Sequence, residues 1–294
     1  MNFSFKRNSE LYVVKDGIGY LLNSVADFSL NQTVSEKTIN RKSQFASIAP
    51  KSIINRSKNL GSGSIEVYFN RECLAIPILL ETLDFTTNNN AEYTFDNNYT
   101  TRVQGIDIVL FNRVSNTYHR IIDAVVTNLD FGLSASGMSR MVFGIEFSDI
   151  QKTNIAVLQP SPEPEIRSPS YIDFKLGTQN FPSVVSAAFT ITRSINRLNK
   201  GATQFNLGSL ATPTNPVVTG YDITAMVTSN MGFNPLLSNN GLPFDEDVHL
   251  GNKVFFIDIP NAKITSREEP SEVFKVFFDI KHQSLNSITL GGYS

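Results

Sequence analysis

The run FDEDVHL, residues 244–250, brings Asp245, Glu246, Asp247 and His249 close together. Carboxylates beside an imidazole are donors that a hard cation accepts. No glycine-centred calcium loop and no repeated ligand spacing accompanies them, so the simpler expectation is an acidic, solvated loop. His119 and His282, the remaining histidines, lie in unrelated segments. GLSASG, residues 132–137, lacks the glycine two places after Ser134 that a nucleophile elbow requires. GSGS, residues 61–64, is not followed by the lysine and hydroxyl residue of a phosphate loop. A strand-like alternation follows it instead, with Ile65, Val67 and Phe69 opposite Ser64, Glu66 and Tyr68, whereas a dinucleotide fingerprint opens a helix. No carboxylate pair stands out for acid–base work. The chain is therefore expected to be no enzyme, with no catalytic residue, no metal site and no cofactor.

Composition narrows the class. Of the 294 residues, 41% are apolar and 18% charged, enough apolar surface for a large core and too little charge for disorder. The net charge of −2 argues against a polycation that coats nucleic acid. Cys73 stands alone, so no disulfide framework exists within the chain, in keeping with a reducing cytoplasm. The N-terminus lacks the apolar core of a signal peptide, and LAIPILL is interrupted by Pro77, so neither secretion nor membrane insertion is expected. The sequons at Asn31, Asn55 and Asn98 then read as chance matches.

What must position any functional residue is a set of strands that occurs twice. LQPSPEPEIRSPS, with Pro160, Pro162, Pro164 and Pro169, reads as a semi-rigid linker over 159–169 between residues 1–158 and 170–294. Each half begins with a short strand, ELYVV or SYIDFKL, and proceeds to SVADFSLNQTV or SVVSAAFTITRSI. A strand after a glycine follows, GSGSIEVYF or VTGYDITAMV, then a proline-led apolar segment, IPILLETL or NPLLSNN, suited to a short helix on a sheet. Both halves close with paired strands: GIDIVLFNRV, DAVVTNLDFGL and SRMVFGIEFSD in the first, NKVFFIDIPNAKITS and SEVFKVFFDIKHQ in the second. The expected architecture is mainly β, a tandem duplication of a sandwich or barrel-like domain with a short flanking helix in each copy. TTNNNAEYTFDNNYTTRVQ, around residues 86–104, reads as an extra surface loop of the first copy.

Between the first two long strands of copy one lies a stretch, residues 31–60, with Lys37, Arg41, Lys42, Lys51, Arg56 and Lys58 against Glu36 alone. It also carries Ile39, Phe45, Ile48, Ile53 and Ile54. A solvated basic hairpin is one reading. A nucleic-acid arm is another, although no aromatic platform interleaves with the charges. The preferred reading is an arm that docks on a neighbouring subunit, because isoleucines among cations suit an interface with an apolar centre and a charged rim.

Together RNSELYVV, SVADFSLNQT, the long loop, the strand with its short helix and the closing hairpins resemble a phage major tail tube protein, and SYIDFKL to FFDIKHQS resembles the tube-forming domain again. The likeness covers nearly the whole chain and rests on element order rather than on a diagnostic motif. It implies a β-sandwich whose sheets join edge to edge into rings, stacked into a tube through which DNA passes without specific binding. A chain with two such domains resembles the duplicated, siphovirus-like type, in which homotrimers make pseudo-sixfold rings. The partners implied are further copies of the chain and other tail proteins such as terminator, tape measure and baseplate. The location implied is the virion, after assembly in the host cytoplasm.

A channel for DNA should not bind phosphates, so an acidic lining is expected. Glu66 and Asp222, on corresponding strands of the two halves, are the candidates for it, with outside solvent as the alternative. Other readings are a ring-forming terminator, tube initiator or baseplate protein, and a carbohydrate-binding adhesin whose site would be the Asn-rich stretch 88–100 with Tyr93 and Tyr99.

Overall fold

A computed structural model describes residues 2–4, 9–40, 52–69, 73–88, 92–95, 103–134, 139–153, 157–159, 171–181, 183–199, 213–230, 242–252, 255–269, 275–282 and 288–292. Alternating apolar and polar residues dominate the chain, and strands follow almost throughout. In the first half these are β1 (Asn2–Ser4), β2 (Ser9–Lys15), β3 (Ile18–Leu21), β4 (Val25–Asn31), β5 (Val34–Asn40), β6 (Ser52–Lys58) and β7 (Gly61–Tyr68). Helix α1 (Ala75–Glu81) precedes β8 (Phe85–Asn88), β9 (Glu92–Phe95), β10 (Ile106–Asn112), β11 (Thr117–Ser134), β12 (Arg140–Phe147), β13 (Asp149–Thr153) and β14 (Val157–Gln159). The second half has β15 (Asp173–Leu176), β16 (Gln179–Asn180), β17 (Val184–Asn199), β18 (Pro213–Ser229), β19 (Phe244–Gly251), β20 (Phe255–Glu269), β21 (Lys275–His282) and β22 (Ile288–Gly292).

The fold is mainly β and sandwich-like, with one short helix among the described residues. One layer is a continuous antiparallel sheet in the order β4-β7-β12-β11-β17-β18-β21-β20, which crosses from the first half to the second at β11·β17. Facing it are β3-β2-β10-β11-β13 in the first half and β16-β15-β19-β20-β22 in the second. The long strands β11 and β20 serve both layers. Each turns at a bulge with a left-handed residue, Asp123 (φ 55) and Asn261 (φ 49). At both corners an aspartate from the neighbouring strand accepts the bulge N–H: Asp107 from Asp123 at 3.2 Å, and Asp247 from Asn261 at 2.7 Å.

The ladders of the two halves match pairing for pairing. β4·β7, β7·β12, β11·β12, β10·β11, β2·β10, β2·β3 and β11·β13 have counterparts in β17·β18, β18·β21, β20·β21, β19·β20, β15·β19, β15·β16 and β20·β22. The register shift between Val25 and Asp27 recurs between Val184 and Ser186. Between the layers the core is continuous across both halves, and Phe255 of the second half packs edge-on against Phe69 and tilted against Phe131 of the first, at 4.6 and 4.1 Å.

Helix α1 fits IPILLETL as expected, with Pro77 in its first turn and Ala75, Ile76, Ile78, Leu79 and Leu80 buried. NPLLSNN, the expected second helix, lies outside the described residues, as do residues 160–169 of the expected linker, whose first residue, Gln159, ends β14. Two expectations need correction. FDEDVHL is not a loop: it is the edge-to-centre strand β19, whose Val248 and Leu250 are buried while its acids point outward. The Asn-rich stretch of the first half is not wholly a surface loop either. It contains the hairpin β8·β9, which pairs with β22 and buries Phe85, Tyr93 and Phe95. The high Asn and Thr content hid the period-2 burial of EYTF.

Candidate functional site

The continuous sheet presents one face to the core and one polar face away from it. On the polar face the described side chains include the acids Asp27, Glu66, Asp130, Glu146, Asp222 and Asp279 and the cations Arg140, Lys263 and Lys281. Acids outnumber cations there, and serine, threonine and glycine fill much of the remainder. The face is hollow where β17, β18, β21 and β20 adjoin, in a shallow groove lined by Thr190, Thr224, Met226, Lys263, Asp279 and Lys281.

GSGSIEVYF supplies β7 at the middle of the first-half portion of this sheet. Its glycines answer to packing. A Cβ on Gly61 would lie 2.0 Å from the Phe147 ring, and one on Gly63 would lie 2.3 Å from the Ser29 carbonyl oxygen. Glu66 sits on the polar face and accepts from Arg140 at 2.9 Å. Asp222 sits on the same face, on β18, beside Lys281 at 3.5 Å. β7 and β18 hold corresponding places, but the rungs align Glu66 with Thr228 rather than with Asp222. Each candidate acid therefore lies on the polar face, and each has a cation within ion-pairing distance.

Of the candidate docking residues, Lys37 and Ile39 lie in β5, and Ile53, Arg56 and Lys58 in β6. Arg41, Lys42, Phe45, Ile48 and Lys51 lie outside the described residues. β5 and β6 form a separate two-stranded ribbon, with Ile39 opposite Ile53 and Val34 opposite Lys58. At its base Gln32 is pinned: its amide donates to the Asn59 and Ser148 carbonyls and accepts from the Ile150 N–H.

Sequence reasoning missed the counterpart of this ribbon, which is the far end of the β17·β18 hairpin. Beyond the shared sheet, the ribbon of the second half lies across the first. Buried Arg197 donates to the Glu146 carboxylate at 2.9 Å, the Asp123 carboxylate at 2.5 Å, and the carbonyls of Asp123 and Glu146 at 2.8 and 3.1 Å. Buried Arg193 donates to the Thr82 and Val126 carbonyls, both at 2.5 Å, and stands 3.5 Å from Asp84. Tyr221 donates to Asp84 and packs edge-on against Phe95 at 5.0 Å. Burial pushes the Tyr221 hydroxyl pKa upward, and the acceptor Asp84 adds to the rise. Burial likewise raises the Asp123 carboxyl, with Arg197 opposing it. Arginines in TRSINRLN gave no signal of burial in the sequence, because their partners lie far away along the chain.

Arrangements for chemistry are sparse. His249 bonds Asp258 at 2.6 Å and lies 3.8 Å from Asp173, and Asp247 is engaged with Asn261. Among the described residues no group of His, Cys, Asp or Glu is placed to hold a metal ion. The cleft beside α1 carries Lys15, Glu81, Asp107 and Arg120, which pair as Lys15–Glu81 and Arg120–Asp107. Buried Cys73 has its thiol pKa raised by burial. Tyr93, considered for sugar stacking, is buried. No helix among the described residues is long and apolar enough to cross a membrane.

A β-sandwich with an acidic polar face, a sheet continuous across both halves and a separate two-stranded ribbon has the makings of a structural component of a larger assembly. The bacteriophage baseplate tube protein family matches residues 1–290, and the chain belongs to that family. It is a structural tube protein of the phage tail or baseplate and a component of the virion. The resemblance to tail tube proteins thus holds as far as a phage tail or baseplate tube protein, and the family match does not extend to the major tail tube of the duplicated type. No curated protein matches the chain.

Proposed function

We propose that the chain is a ring-forming tube subunit at the baseplate end of the phage tail, with three copies per ring, and that its halves are a tandem duplication. The observation that carries this reading is the β11·β17 ladder. β17 holds in the second half the place that β4 holds in the first, and β11 corresponds to β20. The halves are therefore joined head to tail, and repeating the same step between chains generates a ring. Eight strands about 4.8 Å apart contribute about 38 Å of circumference. Three chains then give a cylinder about 37 Å across before strand tilt widens it, roomy enough for duplex DNA.

In such a ring the polar face lines the lumen, and its excess of acids repels phosphate rather than holding it. The β5·β6 ribbon, with Lys37, Ile39, Ile53, Arg56 and Lys58, docks on the neighbouring subunit as the β17·β18 ribbon docks on the first half. Terminator, tape measure and other baseplate proteins are the partners above and below. Passage of DNA during ejection is the task.

Negative-stain microscopy of the purified chain at rising concentration tests this. Closed rings of limited stacking are expected, and a persistent monomer would contradict the reading. A second reading, the major tail tube, is favoured by the duplicated pattern of ladders. It differs in outcome, because its rings would extend into long tubes without other proteins.

A further inference from the structure

We infer that a second copy of this chain adds the tip of its β20 to the outer edge of β4, and that β1 holds this edge until the second copy arrives. The inference rests on the ring reading and fixes the register of its closing contact. Inside the chain, β11 meets β17 with Asn128 opposite Thr192, Asp130 opposite Thr190 and Gly132 opposite Ala188. The shared bulge and the rungs Phe28↔Ile65 and Ala187↔Val227 align Thr190 with Asn31 and Ala188 with Ser29. The rungs through β12 and β21 align Asp130 with Arg267 and Gly132 with Glu269. Between chains, the same ladder places Arg267 opposite Asn31 and Glu269 opposite Ser29.

In the single chain that backbone is taken. β1 pairs there, with Asn2 opposite Asn31, Phe3 opposite Leu30 and Ser4 opposite Ser29. A strand has one hydrogen-bonding edge on each side, and β7 holds the other. β1 and a neighbouring β20 therefore exclude each other. Among the described residues, Thr265–Glu269 has a ladder only to β21, so the complementary edge is open.

The residue types fit an edge that must remain soluble before assembly. Leu129 and Phe131 are buried where β11 meets β17, but they align with Ser266 and Glu268 in β20. Polar residues on an open strand discourage indiscriminate pairing. The backbone ladder supplies the attraction, as in strand addition generally. β1 offers three rungs and the open Thr265–Glu269 segment offers five, so the longer pairing displaces the shorter.

Two full-length variants test this. The first replaces Asn2→Pro, Phe3→Pro and Ser4→Pro together, which removes the β1 ladder donors. Sedimentation velocity should then find rings at about tenfold lower protein concentration than for the unmodified chain. Rings at the same or a higher concentration would overturn the guarding role of β1. The second carries Asn31→Cys with Arg267→Cys. Mild oxidation should yield a covalent trimer on a non-reducing gel. Rings visible by microscopy without that cross-link would overturn the register while leaving the ring reading intact. Absence of rings from every form would reject the ring reading and this inference with it.

Discussion

Arg197 lies wholly buried yet keeps its charge satisfied by two carboxylates and two carbonyls across the join between the halves. Removing one partner of a buried ion pair strands the others, at a cost of about 3–5 kcal/mol. Arg197→Ala is expected to destabilise the chain by about that amount, read as a drop in the denaturant midpoint. Arg197→Met, which refills the volume, should lose a similar electrostatic share but less packing. His119 supplies a pH signature. Burial holds its pKa below the ordinary 6.5, with Lys152 contributing. The unfolded chain then takes the proton first, so stability is complete above 6.5 and declines as pH falls below it. His119→Gln should flatten that decline in melting temperature between about pH 6.5 and pH 5. Gly63→Ala should separate β4 from β7 and cost about 1–3 kcal/mol, measured by thermal unfolding. None of these three roles was legible in the sequence. A glycine needed for close approach and an arginine needed for burial are marked by distant partners, not by neighbours.

At the scale of elements, the sequence was more informative. Alternation in IEVYF, in VFGIEF and in the closing segments marked β7, β12, β20 and β21, and Pro77 marked the start of α1. The order of events in the two halves led to the matching ladders. It misled where polar residues mask a half-buried strand. β19 exposes three acids and buries Val248 and Leu250, so it read as a solvated loop. β8 and β9 read as a loop because their apolar residues pack against strands distant in the chain, β22 and Tyr221 of β18 among them. The long basic stretch read as a docking arm, and part of it is the β5·β6 ribbon. Deleting residues 36–58 is expected to leave folded protein, since the ribbon pairs only with itself among the described strands. The deleted chain should give a normal circular dichroism spectrum and no rings. Normal rings from it would reject the docking role of the ribbon.

For the whole molecule, what matters is that the sheet of one half continues into that of the other through the β11·β17 ladder, with matching pairings on either side. On the proposed reading such a sheet ends in a β4 edge, held by β1, and a β20 edge, which would complement each other as β17 and β11 do within the chain. Closure removes both edges and with them the hazard of unlimited pairing. The polar face, the ribbon and the covered β4 edge then become parts of one device. On the proposed reading the face would keep phosphate at a distance, the ribbon would join neighbours, and β1 would delay closure. A further test of the face is charge reversal: Glu66→Lys with Asp222→Lys should leave ring formation unchanged but create salt-sensitive DNA binding, measured by a shift assay at low and moderate salt. Rings that ignore DNA despite the change would place those residues away from the lumen. The most direct test of the account is the mass of the assembled particle. Native mass spectrometry of material that shows rings by microscopy should give three times the chain's 32.6 kDa, or multiples of that for stacked rings. A particle of six chains in a single ring, or a chain that stays at 32.6 kDa at every concentration, would contradict it.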